Sequence, residues 1–317
     1  MTLLWILSVL CSWLIPVNAS GSTLAEPTAT VEADTLEHAL LWRISHSSMD
    51  EDSYLFGTIH MISSQDYFIP QGLLTAIDQT DEIVFEIDMA AMSDMSQMMG
   101  MMSQLTMEGD TTLKTLLSPE DYQIVQNFFK EKGLPLFFLE KIKPMFLSAM
   151  VGMDGDIPMG GNGMPDLSNA LGDNMKSYEF ELNSIAESAN KSVSGLETID
   201  FQMSLFDQIS YQDQAQYLVE SIHQVDEGGL MEDGIFKMYT SMNINKMAQS
   251  LSSEGGIEGL EDALLSDRNM NWIPLMVEQM RLRPTLFAVG AGHLGGDKGV
   301  IHLLRDEGYT VTPVLNR

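Results

Sequence analysis

Thr285-Leu286-Phe287-Ala288-Val289-Gly290-Ala291-Gly292-His293-Leu294-Gly295-Gly296 decides how this chain folds. The first five residues have the apolar, branched and aromatic make-up of a buried strand. A glycine-rich turn follows, and residues 298–307 carry a helical pattern stopped by Gly308. Residues 309–314 return as a strand, which completes a strand–helix–strand unit. The opening pattern recurs near the other end as Tyr54-Leu55-Phe56-Gly57-Thr58-Ile59-His60. Both copies hold a Leu-Phe pair and a glycine three residues before a histidine, in a chain with six histidines. Glycine there permits a sharp exit from the strand and a close backbone approach. Two neutral imidazoles delivered by two strand ends suit a metal pair or an acid/base pair. A nucleotide-loop reading of the glycine-rich turn is set aside, because the turn does not open a domain and no Lys-Ser/Thr pair follows.

Working outward, Ala39–Ile44 and Tyr54–Ile59 read as a hairpin across the acidic turn Asp50-Glu51-Asp52. A helix is expected from Pro70 to about Gln79, then a strand over Glu82–Asp88, an order that implies a parallel pair with a right-handed crossover. The middle reads as mostly helical. Ser118-Pro119 starts a helix that Gly133 stops, and Pro135–Met150, Asn183–Asn190, 200–223, 230–250 and Asp262–Met280 follow as helical runs. Ser192–Leu196 reads as a strand ending at Glu197, and the glycine-rich Gly152–Pro165 as a loop. Eight methionines between Met89 and Met107 suit an adaptable apolar helical face better than a soft-metal site. The fold class is therefore α/β (mixed α+β), with a central sheet built from strand–helix–strand units at both ends and a largely helical middle.

Residues 1–19 read as a secretory signal, with apolar Leu3–Ile15, a break at Pro16 and a small-residue site at Val17-Asn18-Ala19. The apolar stretch is short of the roughly 20 residues a span needs. Residues 20–37 follow as a flexible lead-in, and 38–317 as one domain. Such a signal implies a periplasmic or secreted location. The only cysteine, Cys11, lies inside the leader, so the mature chain has no thiolate and no disulfide. Sixteen basic residues against forty-five acidic ones give a net charge of -29, which excludes binding to nucleic-acid phosphate or anionic lipid.

Further candidates for chemistry are few. Glu86 sits in Ile83-Val84-Phe85-Glu86-Ile87, where alternation puts it on one face with Asp88, and an ionised carboxylate in an apolar strand calls for a partner. Glu197 ends a strand before a helix, where it can also favour the helix N-terminus. Arg268 suits a clamp on a substrate carboxylate, or a structural ion pair. His38, His46, His223 and His302 read as structural. Neither HExxH nor GxSxG is present.

The ordered set Tyr54–His60, Val84–Asp88, Ser194–Thr198, Asp267-Arg268-Asn269 and Val289–Gly296 resembles the TraB/GumN family, bacterial relatives of the Tiki proteins. The resemblance implies a fold shared with erythromycin esterase-like and ChaN-like proteins. It also implies metal-dependent proteolysis using manganese or cobalt, with the GxxH histidines and a glutamate at the site. Carried over, these are His60, His293 and Glu86 as metal ligands, and Glu197 matches a further acidic position of the family. On the chain's own chemistry Glu86 and Glu197 are the candidate catalytic carboxylates and Arg268 the candidate substrate-binding residue. With imidazoles and carboxylates but no thiolates, the ion is Mn, Co or Zn. The expected function is an exported metal-dependent hydrolase, a peptidase with a peptide or protein substrate, no nucleic-acid partner and no stable membrane span. The alternatives are a non-catalytic peptide- or haem/iron-binding protein, and a metal-free esterase. The chain departs from its relatives at Glu179-Phe180-Glu181, where a Gly-apolar-Asp turn is usual.

Overall fold

In chain order the elements are β1 (Leu41–Ser45), β2 (Ser53–Thr58), β3 (Ile62–Ser63), α1 (Leu73–Gln79), β4 (Glu82–Ile87), α2 (Leu113–Leu116), α3 (Pro119–Glu131) and α4 (Pro144–Val151). They continue with β5 (Met175–Lys176), α5 (Tyr178–Ser188), β6 (Ser192–Glu197), α6 (Ile199–Leu205), α7 (Tyr211–Asp226), α8 (Met231–Thr240), α9 (Ile244–Ser252), α10 (Asp267–Leu282), β7 (Thr285–Gly290), α11 (Val300–Asp306) and β8 (Thr310–Pro313). This computed structural model describes residues 36–89, 100–101, 103–151, 175–226, 231–252 and 262–315. The leader, nearly all of the lead-in, the loop at 152–165 and most of the methionine-rich stretch lie outside the described residues. The fold is mixed α/β, as the sequence implies. Among the described residues no helix is long and apolar enough to cross a membrane.

The chain forms two compact units that alternate along the sequence. The first takes in Ile59–Phe68 and Glu82–Phe236, and the second takes in residues up to Thr58, Ile69–Asp81 and Lys237–Arg317.

The second unit holds both strands of the duplicated pattern. β2 pairs in parallel with β7, from Tyr54↔Leu286 to Thr58↔Gly290. On its other edge β2 forms the expected hairpin with β1, and β1 pairs antiparallel with β8. Leu55, Phe56, Leu286, Phe287, Ala288 and Val289 are all buried, so neither strand has a wet face. That explains their continuous apolar composition. Each large side chain contributes about 1.5–3 kcal/mol by leaving water. With β1 on one edge and β7 on the other, β2 is fully paired within this unit, and its parallel partner is β7. Local order along the chain does not reveal that β7, more than 200 residues later, takes that edge.

α1 starts at Leu73 rather than Pro70. Gly72, with φ 89°, turns the chain into it, and Leu73 N–H donates to the Pro70 carbonyl. In the first unit, β4 pairs in parallel with β6, and β3 pairs antiparallel with β5. α3 begins as the sequence implies, with the Ser118 side chain accepting from Asp121 N–H and Pro119 in the first turn. The run 135–150 is not one helix. A short 3₁₀ turn at Leu136–Phe138 gives way to backbone bridges from Lys143 N–H to the Leu105 carbonyl and between Thr106 and Ile142, and α4 restarts at Pro144. The pairing satisfies backbone groups that periodicity assigns to a helix. α5 starts five residues before Asn183, capped by Ser177. Met107, Leu113, Val125, Phe129, Leu147, Met150, Leu218 and Ile222 join in the helical core of this unit.

Candidate functional site

The two GxxH motifs begin side by side. Parallel register sets Gly57 opposite Val289 and Thr58 opposite Gly290, so both chains leave the sheet at the same end. Gly57 is required by packing rather than by its backbone angles. A Cβ there would lie 3.0 Å from the Ala291 Cβ, 3.0 Å from Leu294 Cδ2 and 3.1 Å from the Ala291 Cα. The first motif's glycine is thus the space in which the second motif's turn is seated. Tyr239 Oη donates to the Gly57 carbonyl at 3.0 Å and holds this corner.

His60, on the stretch that enters the first unit, is buried. Its Nδ1 lies 2.9 Å from Oε1 of Glu179, in the first turn of α5. The other oxygen of Glu179 accepts from Ser177 Oγ at 2.8 Å. A carboxylate behind one ring nitrogen is the usual support for a histidine whose other nitrogen serves a metal.

Glu86 lies in a strand buried on both faces and is itself 6% exposed. Gln202 on α6 donates through its single amide nitrogen to Glu86 Oε2 at 3.3 Å and to Glu197 Oε2 at 3.1 Å. β6 reaches β4 closely enough for this because residue 195 is glycine. A Cβ on Gly195 would sit 2.1 Å from the Asp88 nitrogen. Glu86 is buried and Glu197 half-buried, and the shared amide brings the two carboxylates to one place.

In the second unit His293 is held on three sides. Its Nδ1 lies 2.7 Å from Asn269 Oδ1, its Nε2 lies 3.3 Å from an Arg268 guanidinium nitrogen, and its ring centroid lies 4.4 Å from that of Trp272. Arg268 is fully buried, donates to the Leu264 carbonyl at 3.0 Å and places its guanidinium carbon 4.9 Å from the Trp272 ring. Beside this cluster is a cavity of about 180 Å³ whose lining includes Ser266, Asn269, Gly292, Gly296 and Lys298. At its rim Lys298 donates to Asp262 at 2.8 Å, and this bond holds the Asp262 carboxyl below its ordinary range.

Every residue singled out in the sequence thus has a defined setting. Glu86 and Glu197 meet on Gln202, His60 meets Glu179, and Arg268 meets His293. Glu179, Gln202, Asn269 and Trp272 were not assigned roles by sequence. Asn269 and Trp272 follow Arg268 on α10 at one and four residues, and that helical spacing is their only signal. Of the other histidines, His46 Nδ1 lies 2.7 Å from Ser48 Oγ, and His302 Nδ1 lies 2.8 Å from the Gly296 carbonyl. His38 and His223 are exposed.

The donor chemistry fits a divalent ion at His60, Glu86 and His293 taken one by one. Each imidazole has an oxygen close to Nδ1, and Glu86 shares its donor with a second carboxylate. One contact opposes it, since Arg268 stands on His293 Nε2. Among the described residues no three His, Cys, Asp or Glu side chains gather as a ready-made metal site.

The profile of the TraB/PrgY/gumN family matches residues 40–313. Proteins named Metalloprotease TIKI1 are similar along the chain, each at 23% identity. The one from Danio rerio aligns over 94% of this chain and 68% of its own length, and the one from Homo sapiens over 97% and 68%. The Xenopus tropicalis protein aligns over 86% and 61%. The chain thus spans about two thirds of these relatives. No solved structure matches it. The likeness to erythromycin esterase-like and ChaN-like folds therefore remains an implication of the family resemblance.

Proposed function

Because the chain belongs to the TraB/PrgY/gumN family, we propose that it is an exported metal-dependent peptidase. The observation that carries this reading is the in-register start of the two GxxH motifs on adjacent parallel strands. The metalloprotease names of the similar animal proteins support it. Metal binding depends in this reading on His60, Glu86 and His293, and the ion is Mn, Co or Zn. Such an ion supplies polarisation of the scissile carbonyl and activation of a water molecule.

The chain's own residues do the rest. Glu179 sets the ring of His60. Gln202 holds Glu86 and Glu197 on one amide, so the two carboxylates keep a fixed separation as charge and protons move. Glu197 serves either as a further ligand or as the general base that takes the proton of the attacking water. Arg268 can meet a substrate carboxylate only by loosening its hold on His293, because its guanidinium is fully buried.

One observation favours a second reading. A guanidinium on His293 Nε2 suits a metal-free hydrolase in which His293 and a glutamate handle protons. A single experiment separates the two. The full-length chain is purified, and cleavage of a mixed-sequence peptide library is followed by mass spectrometry, with and without chelator and with Mn, Co or Zn restored. The metallopeptidase reading expects cleavage that chelation abolishes and metal restores. Chelator-resistant hydrolysis establishes the second reading, and no cleavage under any condition overturns both.

A further inference from the structure

The second unit encloses His293, Asn269 and Arg268, all three buried. The neighbours of Asn269 settle its amide orientation. Its Nδ2 faces the Lys298 carbonyl at 2.9 Å and the His293 carbonyl at 3.3 Å. Carbonyls only accept, so the NH₂ group belongs on that side. The amide oxygen is left facing His293 Nδ1 at 2.7 Å. An amide oxygen only accepts, so Nδ1 carries the ring proton. The opposite side of the ring gives the same answer independently. The Arg268 guanidinium, 3.3 Å from Nε2, has donors and no acceptor, so Nε2 presents its lone pair. Trp272, at 4.4 Å between ring centroids, limits rotation of the imidazole.

We propose that Asn269 is a positioning residue that locks His293 in its Nδ1–H tautomer and so makes Nε2 the nitrogen that serves a ligand. This deepens the metal-dependent reading and rests on it only for what Nε2 serves. The tautomer itself follows from the hydrogen bonds. Asn269 has no contact with substrate in this role and acts through His293. Arg268 meets the same nitrogen, so a ligand taken there displaces one guanidinium N–H, while the bond of Arg268 to the Leu264 carbonyl can persist.

The test is long-range ¹H–¹⁵N NMR of the histidine rings in the metal-free full-length chain at alkaline pH, with His293→Gln identifying the His293 signals. The wild type is expected to show a protonated Nδ1 and a bare Nε2. Asn269→Leu keeps the branched shape, removes the acceptor and is expected to move the proton toward Nε2. Asn269→Asp keeps an acceptor in place and is expected to retain the wild-type pattern. Cobalt titration should show about 10- to 100-fold weaker binding for Asn269→Leu. A wild-type spectrum with the proton on Nε2 overturns the proposal, and so does an Asn269→Leu spectrum identical to the wild type. The wild-type spectrum assigns the tautomer even where Asn269→Leu fails to fold. Should the wild type bind no cobalt, the metal-dependent reading fails while the spectra still decide the role of Asn269.

Discussion

Replacing Gly57 by alanine adds one methyl group where the turn of the second GxxH motif is packed. The new Cβ would meet three atoms at 3.0–3.1 Å, two on Ala291 and one on Leu294. Leu294 can yield by changing rotamer, but the Ala291 Cα is backbone at the end of β7 and moves only with the turn. Overpacking of this kind costs about 1–3 kcal/mol. An opposing term comes from the unfolded chain, since Gly→Ala at an unstrained position stabilises by about 0.4–1 kcal/mol. From the middle of each range the net loss is about 1.3 kcal/mol, and at about 2–4 °C per kcal/mol for a domain of 150–250 residues Tm falls by about 3–5 °C. Thermal and urea unfolding measure it, with Gly100→Ala as a control, because a Cβ at Gly100 meets nothing within 4 Å. The control, which carries only the unfolded-state term, should equal wild type or exceed it by up to about 1 kcal/mol. A Gly57→Ala protein as stable as wild type, or more so, would refute the claim that the two motifs are packed against each other at this glycine.

Gly195→Ala should be the harsher change, since its Cβ would fall 2.1 Å and 2.5 Å from backbone atoms of Asp88 and Ile87. β6 must then part from β4, so a loss above about 3 kcal/mol is expected in urea unfolding, in the exceptional range for single substitutions. Stability should also decline at high pH. Burial and Glu181 raise Tyr67 to about 12, the hydrogen bond to Glu140 and burial raise Tyr122 to about 12, and burial raises Tyr217 to about 12, from the ordinary 10.0. The folded state thus favours the protonated phenols, and their contribution is complete below pH 10.0 and lost as pH rises through about 12. Ultraviolet tyrosinate absorbance should show these three ionising late in folded protein and at the ordinary value in denaturant. Coincident titration in both states would contradict the environments described for them.

Much of the fold is legible in the sequence because it is written locally. The hairpin of β1 and β2, the Ser118-Pro119 start of α3 and the glycine exits after β2 and β7 all depend on residues close together in the chain. The partnership of β2 with β7 is not local. Its only trace is the repeated Leu-Phe pair and GxxH, which marks two strands as equivalent without saying that they touch. The 135–150 run misleads for the same reason, since its bridges to Leu105 and Thr106 compete with helix in a way periodicity does not register. At the candidate site the histidines and glutamates stand out by chemistry and context. Their supports do not: Gln202 and Asn269 are uncharged amides, and their roles arise from two hydrogen bonds for Gln202 and three for Asn269, which only the folded chain brings together. Glu179 lies at a departure from the family pattern, and its nearness to His60 becomes visible only once α5 is placed.

The central claim is that the two GxxH histidines support one metal-dependent activity. It is tested most directly by metal content and affinity of the purified chain for Mn, Co and Zn, with wild type beside His60→Ala and His293→Ala. The account predicts near-stoichiometric binding in the wild type that is lost in both variants, with circular dichroism unchanged. Wild-type protein that binds none of the three ions, or variants that bind them as tightly as wild type, would contradict it.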